Sequence, residues 1–409
     1  MKVLHISTSD LDGGAARAAY RLHKGLLKIG VESQMLVRAK LSHDRTVIAH
    51  KPLMAQVASK VDGLPLRHYP KRDRSLFSVQ WFPDTIVSKV KQINPDIIHL
   101  HWTHNGFLQI ESLAKFQKPL VWTLHDMWAF TGGCHYTQEC DRYTTGCGTC
   151  PQINSEKPKD LSSKVWQRKL KSWRELNIML VTPSQWMAKC VSRSPLFEHC
   201  QVKVIPNGLD TTIYKPIDKL IARQIFNLPP HKKLVLFGAG STSSDPRKGF
   251  QFLIEALQQL DLERWRDELG LVIFGESQST ALPVEFETHY VGRLNDDVSL
   301  ATAYAAADVF VAPSMQDNLP NTVLESLACG TPCVAFEIGG MPDMISSRHN
   351  GYLAEPFNVR DLAVGMEWIL EDLERYCSLS KNARESVISR FSELYQAKKL
   401  LSIYENHMN

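Results

Sequence analysis

Short unbroken runs of Val, Ile and Leu recur along the chain, separated by stretches where apolar residues return every three or four positions. The unbroken runs predict strands at 3–8, 33–37, 97–102, 120–125, 178–182, 202–205, 234–237, 271–274, 309–312 and 332–336. Runs of this kind, without polar alternation, fit strands covered by helices on both faces. Between them Ala15, Ala18, Ala19, Leu22, Leu26 and Ile29 share one helical face, as do Phe250, Leu253, Ile254, Leu257 and Leu260. Alternating strand and helix predicts an α/β protein built on doubly wound parallel sheets. The strands are too many for one sheet, so two such domains are expected, at 1–205 and 206–382. The seam falls at Ile205-Pro206-Asn207-Gly208, where a strand runs into turn chemistry. A last segment, 383–409, carries an apolar stripe (Val387, Phe391, Leu394, Tyr395, Leu401, Tyr404) that needs a surface to cover it.

Composition narrows the class. The 409 residues are 44% hydrophobic and 22% charged, which suits a soluble globular chain with a sizeable core. A formal net charge of +4 gives no warrant for nucleic acid, though it tolerates an anionic substrate or membrane face. The N-terminal apolar run is too short for a signal peptide, and no window is apolar enough to span a bilayer. A cytoplasmic protein is therefore expected, in which the nine cysteines serve as thiols or metal ligands rather than disulfides. The basic, proline-containing stretch 66–73 reads as a solvated loop.

Four stretches carry chemistry. Asp12-Gly13-Gly14-Ala15-Ala16-Arg17 follows the first strand, where glycines let backbone approach a ligand and the next helix offers its positive end. A tight strand-to-helix turn explains the same residues equally well. Trp122-Thr123-Leu124-His125-Asp126 ends another strand, and His125 there suits contact with a substrate hydroxyl or proton transfer. His99, His101 and His104 lie nearby in sequence, but no carboxylate or cysteine completes a familiar metal spacing. Pro246-Arg247-Lys248-Gly249 follows the polar loop 240–245 and sets two cations at a helix start, a conflict with the dipole that a bound diphosphate would remove. Finally, 313–325 follows a buried strand. Pro320 suits a first helical turn, Asp317 or Asn318 is placed to cap it, and the first-turn amides after Pro320 suit a phosphate. Glu325 sits a turn deeper, placed for a ribose, and Asp317 and Glu325 frame the helix start.

Taken together, these motifs resemble glycosyltransferase family 4, the retaining enzymes of the two-domain GT-B fold. The resemblance spans nearly the whole chain. It rests on Gly13-Gly14, His125, Pro206-Asn207-Gly208-Leu209-Asp210, Lys248-Gly249, Gly292-Arg293 and the acidic pair Asp317/Glu325. Leu124-His125-Asp126-Met127-Trp128 and the cysteine-rich segment after it resemble bacterial exopolysaccharide and colanic-acid-type transferases in particular. The resemblance implies a fold of two Rossmann-like domains with a cleft between them, acceptor on the N-terminal side and donor on the C-terminal side. It further implies that Gly13 and Gly14 bring backbone to donor diphosphate or acceptor, and that His125 and Asp317 contact the donor sugar. Lys248 with Arg247 would neutralise the leaving diphosphate, while Asn321, Thr322 and Val323 offer amides to the phosphates. Glu325 would bind the ribose, the base would lie by Arg293 and Leu294, and the last helix would return to the N-terminal domain.

Two departures stand out. Asp317 occupies a position that is usually glutamate, and Ala239-Gly240-Ser241 replaces the family's Gly-Arg, leaving Arg247 to substitute. The donor implied is a UDP- or GDP-sugar with no catalytic metal. The acceptor is a glycan or lipid-linked oligosaccharide at the inner face of the cytoplasmic membrane, where the enzyme would be peripheral. A GT-B epimerase, a phosphorylase-like enzyme and a catalytically weak GT-B scaffold subunit are the competing readings.

Cys134, Cys140, Cys147 and Cys150 are spaced C-x5-C-x6-C-x2-C. The last pair makes a good zinc half-site in a loop without its own core, so a structural zinc is expected on these four thiols; four unligated thiols are the alternative.

Overall fold

In the computed structural model residues 1–238, 245–275 and 282–408 are described, with side chains throughout except at 53–56. The chain divides into two compact units: Met1–Pro206 together with the segment from Gln396 onward, and Asn207–Tyr395.

In the first unit, β1 (Lys2–Ser9), β2 (Glu32–Ala39), β3 (Val47–Ala49), β4 (Ile97–Leu100), β5 (Leu120–Thr123), β6 (Ile178–Thr182) and β7 (Val202–Val204) form one sheet. Its order is β3-β2-β1-β4-β5-β6-β7 and every pairing is parallel. The second unit repeats the winding with β8 (Lys233–Gly238), β9 (Leu269–Phe274), β10 (Glu287–Gly292), β11 (Val309–Ala312), β12 (Cys333–Phe336) and β13 (Gly351–Ala354). These run β10-β9-β8-β11-β12-β13, again all parallel. Strand order reverses between β1 and β4 and between β8 and β11. In such sheets ligands bind beyond the carboxyl ends at these switch points.

β3, β10 and β13 are not among the strands expected from apolar runs. β3 and β13 have only three and four residues, and β10 is an edge strand whose Glu287-Thr288-His289-Tyr290-Val291 leaves no residue fully buried. β4 and β5 also stop earlier than expected, at Leu100 and Thr123. Trp102 and His125 thus stand past the strand ends, on the ligand side of the sheet.

The last segment corrects a sequence expectation. It is two helices, Leu373–Arg390 and Glu393–Met408, and the break is pinned by Leu209, whose N–H donates to Phe391 O and whose carbonyl accepts from Glu393 N, each at 2.9 Å. Ala383, Val387 and Phe391 complete the core of the second unit, whereas Ala397, Leu400 and Tyr404 pack with Val3, Leu26, Ile97, Val121 and Ile205 in the first. The boundary therefore falls after Tyr395 rather than at 382/383, and the stripe serves two cores in turn. Leu394 and Tyr395, expected in the stripe, are exposed. No helix among the described residues is long and apolar enough to cross a membrane.

Candidate functional site

In the second unit the segments that follow β8 and β11, the two strands flanking the switch point, are fastened to each other. Met315 N donates to Arg247 O at 2.7 Å, Arg247 Nη1 to Gln316 O at 3.1 Å, and Lys248 Nζ to Asp317 Oδ2 at 2.6 Å. Arg247 also pairs with Asp245 Oδ2 at 2.6 Å. The two cations therefore face carboxylates. They do not stand uncompensated at a helix start as expected: Pro246–Lys248 is one 3-10 turn, and Gly249, at φ +71°, separates it from the helix Phe250–Leu257. The loop 240–245 and the Ala239-Gly240-Ser241 departure fall, except for Asp245, outside the described residues.

Gly249 is fixed twice over. Its φ lies in the left-handed region, and a Cβ there would come within 1.8 Å of Pro313 O. Gly249→Ala is expected to lower the unit's stability by more than about 2 kcal/mol, a fall of several degrees in melting temperature. Gly13→Ala, strained by φ alone at +89° with nothing within 4 Å, should cost less; equal melting points for the two variants would contradict this packing.

The helix Asn321–Ala328 opens with Pro320 at its N-cap position and no side-chain cap, so neither Asp317 nor Asn318 caps it. Asp317 Oδ1 instead accepts the Asn318 amide at 3.0 Å, and Asn207 Nδ2 donates to Asn321 Oδ1 at 3.0 Å. The amides of Asn321 and Thr322 open the positive first turn of this helix, four residues after Asp317, whereas the amide of Val323, expected to face the phosphates as well, donates to Pro320 O at 3.2 Å. Glu325 is 3% exposed and accepts from Tyr304 Oη at 3.1 Å. Burial, and then the Glu325 carboxylate, hold the Tyr304 hydroxyl protonated well above its ordinary range, so it serves as a fixed donor. Arg293, exposed, and Leu294, half-buried, follow β10 at the same edge.

In the first unit Gly13 is the N-cap of the helix Gly14–Lys28, whose first turn carries no acidic residue and no side-chain cap. The Asp-x-Asp pattern Asp10-Leu11-Asp12 at the end of β1 is structural at its first member: buried Asp10 accepts the amides of Leu41 and Ser42 at 2.9 and 3.0 Å. His125 Nε2 lies 3.2 Å from His101 Nδ1, and burial brings its pKa down to about 4 against the opposing pull of Asp126.

Two family models divide the chain between them. "Glycosyltransferase Family 4" matches residues 12–213, and "Glycosyl transferases group 1" matches residues 218–386. WcaC of Escherichia coli K12, whose name makes it a colanic acid biosynthesis glycosyl transferase, is 28% identical over 366 residues, 82% of this chain and 83% of its own. The chain is a glycosyltransferase, a family 4 domain followed by a group 1 domain. This transferase is also 25% identical over 381 residues to a D-inositol 3-phosphate glycosyltransferase of Pseudarthrobacter chlorophenolicus, covering 88% of this chain and 83% of that one. Its fold is GT-B. Sucrose-phosphate synthase from Thermosynechococcus elongatus matches with a TM-score of 0.71 at 18% identity, over 99% of both chains. Anabaena HepE, solved with UDP and glucose, matches with a TM-score of 0.68 at 18% identity, over 99% and 100%.

Several site partners of the transferase were invisible in its sequence. Tyr304 beneath Glu325 is one. Another is a network in which Ser78 Oγ lies 2.9 Å from His135 Nε2 and His135 Nδ1 lies 2.6 Å from Asp126 Oδ2. Its elements are those of a hydrolase triad, but Ser78 is 1% exposed, and Asp126 also accepts from Trp102 Nε1 and the Trp128 amide. The network braces the loop after His125. Ligand atoms of His104, Asp126 and His135, and separately of His5, His99 and His101, lie within 4.8 Å of one another, so a carboxylate does join the histidines that sequence spacing left without one. The four cysteines of the 134–150 loop line one small cavity, yet among the described residues their sulfurs are not among the groups that converge so closely. None of the nine cysteines is in a disulfide, and burial raises the pKa of Cys134, Cys147 and Cys150.

Proposed function

We propose that the enzyme transfers a sugar, with retention, from a UDP- or GDP-sugar to a glycan or lipid-linked oligosaccharide of a surface polysaccharide. The observation that carries this is the Lys248–Asp317 pair at the switch point of the second sheet, 2.6 Å apart, with Asp317 four residues ahead of the helix Asn321–Ala328. A cation tethered by a buried carboxylate, together with a helix start, stabilises a departing diphosphate without rearranging at the moment of reaction. Arg247 adds a second charge, Glu325 binds the ribose, Arg293 and Leu294 border the base, Asp317 and His125 contact the donor sugar, and Gly13 and Gly14 bring backbone to the phosphates or acceptor. The name of WcaC supports a role in polysaccharide biosynthesis, and the HepE complex with UDP and glucose supports a nucleotide-sugar donor. The acceptor would be met at the inner membrane face by a peripheral enzyme.

A thermal-shift panel of UDP-glucose, UDP-galactose, GDP-mannose and ADP-glucose tests this. One of them should stabilise the protein by about 2.7 kcal/mol at a hundred times its Kd. Stabilisation by none would end the donor reading.

Four cysteines on one cavity, in a loop stitched by 3-10 turns, also support a structural zinc. Protonated thiols have no reason to converge, and only a cation would draw the thiolates together. Elemental analysis of purified protein should find about one zinc per chain, lost in Cys147→Ser and Cys150→Ser; a metal-free wild type would refute the site.

A further inference from the structure

Three histidines form one hydrogen-bonded line ending on His125. His5 Nδ1 lies 2.9 Å from His101 Nε2, and His101 Nδ1 lies 3.2 Å from His125 Nε2. His5 is on β1 and His101 follows β4, so the line crosses the switch point of the first sheet. His5 and His101 are 0% and 2% exposed, and burial, reinforced by His99, holds both well below the ordinary imidazole range.

All three rings are therefore neutral near pH 7. A neutral imidazole has one N–H and one lone pair, so two bonds in series require both protons to point the same way along the line. They run from His5 outward to His125, or from His125 inward to His5. The inner end decides between them. His5 Nε2 is buried and has no partner. The inward order would leave an N–H there without an acceptor, whereas the outward order leaves only a bare lone pair, the more tolerable orphan. His99 offers no relief, since its Nδ1 is engaged by Tyr404 Oη at 2.6 Å and its Nε2 by Thr123 Oγ1 at 2.7 Å. Those bonds also argue against a metal on His5, His99 and His101: an ion would have to break one of them and part the His5–His101 contact. The other ionisable neighbours are His23, edge-on to His5 and held by Ser33 and Thr46, and Asp126, adjacent to His125.

We propose that His5 and His101 are positioning residues that hold His125 as its Nδ1–H tautomer, with Nε2 committed to the interior. His125 then meets the donor sugar as a hydrogen-bond donor from Nδ1, a use that rests on the proposed transferase reading. The tautomer itself does not rest on it.

Long-range 15N–1H spectra of 15N-histidine-labelled protein, with His125 assigned by its loss in His125→Asn, test the tautomer without any nucleotide. The wild type should show the Nδ1–H pattern at His125; an Nε2–H pattern would overturn the proposal whatever the donor proves to be. In His101→Gln and His5→Phe the His125 signals should move toward a tautomer mixture. With the donor that the panel identifies, kcat should fall at least tenfold in these variants while donor KM stays within twofold. A shifted tautomer with unchanged kcat would refute the positioning role, and a failed panel with an intact Nδ1–H signal would refute only the donor reading.

Discussion

Lys248→Ala is expected to lose turnover by a factor of about 10² to 10³ and to weaken the second unit as well. The two losses have different origins. Turnover falls because the fixed cation proposed to meet the departing diphosphate is gone. Stability falls because Asp317, 6% exposed, loses its ion-pair partner at 2.6 Å. A buried carboxylate stripped of its partner typically costs about 3 kcal/mol, which for a unit of this size lowers melting by roughly 6 to 12 °C. The double variant Lys248→Ala/Asp317→Asn separates them. It should recover most of the melting temperature, because no uncompensated carboxylate remains, and none of the turnover. Recovery of both would show that Lys248 serves the fold alone.

The first unit should be unusually sensitive to mild acid. Every buried histidine among the described residues lies in it. Burial lowers His99 to about 3 and His23 and His125 to about 4, and depresses His5 and His101 strongly. In the unfolded chain each would titrate near its ordinary value of about 6.5. Above that pH both states are neutral and the rings contribute nothing to the pH dependence. As pH falls below it, the unfolded chain takes up protons the native core refuses. Stability then declines by about 1.4 kcal/mol per pH unit for each such ring, down to its folded pKa. Several rings together rival the total stability of a domain within one to two pH units. Scanning calorimetry from pH 7.5 to 5.0 should show the first unit's transition falling by more than about 10 °C, with the second unit's moving less. A melting profile flat over that range would contradict the neutral histidine core.

The features legible in the sequence were those written locally. Unbroken apolar runs located ten strands, because strands buried on both faces carry their signal residue by residue. The order 313–325, strand end then Pro320 then helix, was legible for the same reason. What escaped depends on distant pairing. Edge strand β10 lacks a continuous apolar run, since solvent replaces one neighbour. The zinc spacing brought its cysteines to one cavity without bringing the sulfurs together. His101, weighed only as a metal ligand, is instead the middle of a line from His5, and those two are ninety-six positions apart. Lys248 and Asp317 were each singled out for a ligand, yet across sixty-nine positions they hold each other.

The central claim is that the 317–325 stretch and Lys248 form a nucleotide-sugar site. Isothermal titration of the best-stabilising nucleotide sugar into wild type, Glu325→Gln and Lys248→Ala tests it most directly. The expected result is a saturable one-to-one isotherm for the wild type, weakened at least tenfold in each variant while both remain folded. Equal affinity in all three proteins, or no binding of any nucleotide sugar to the wild type, would contradict it.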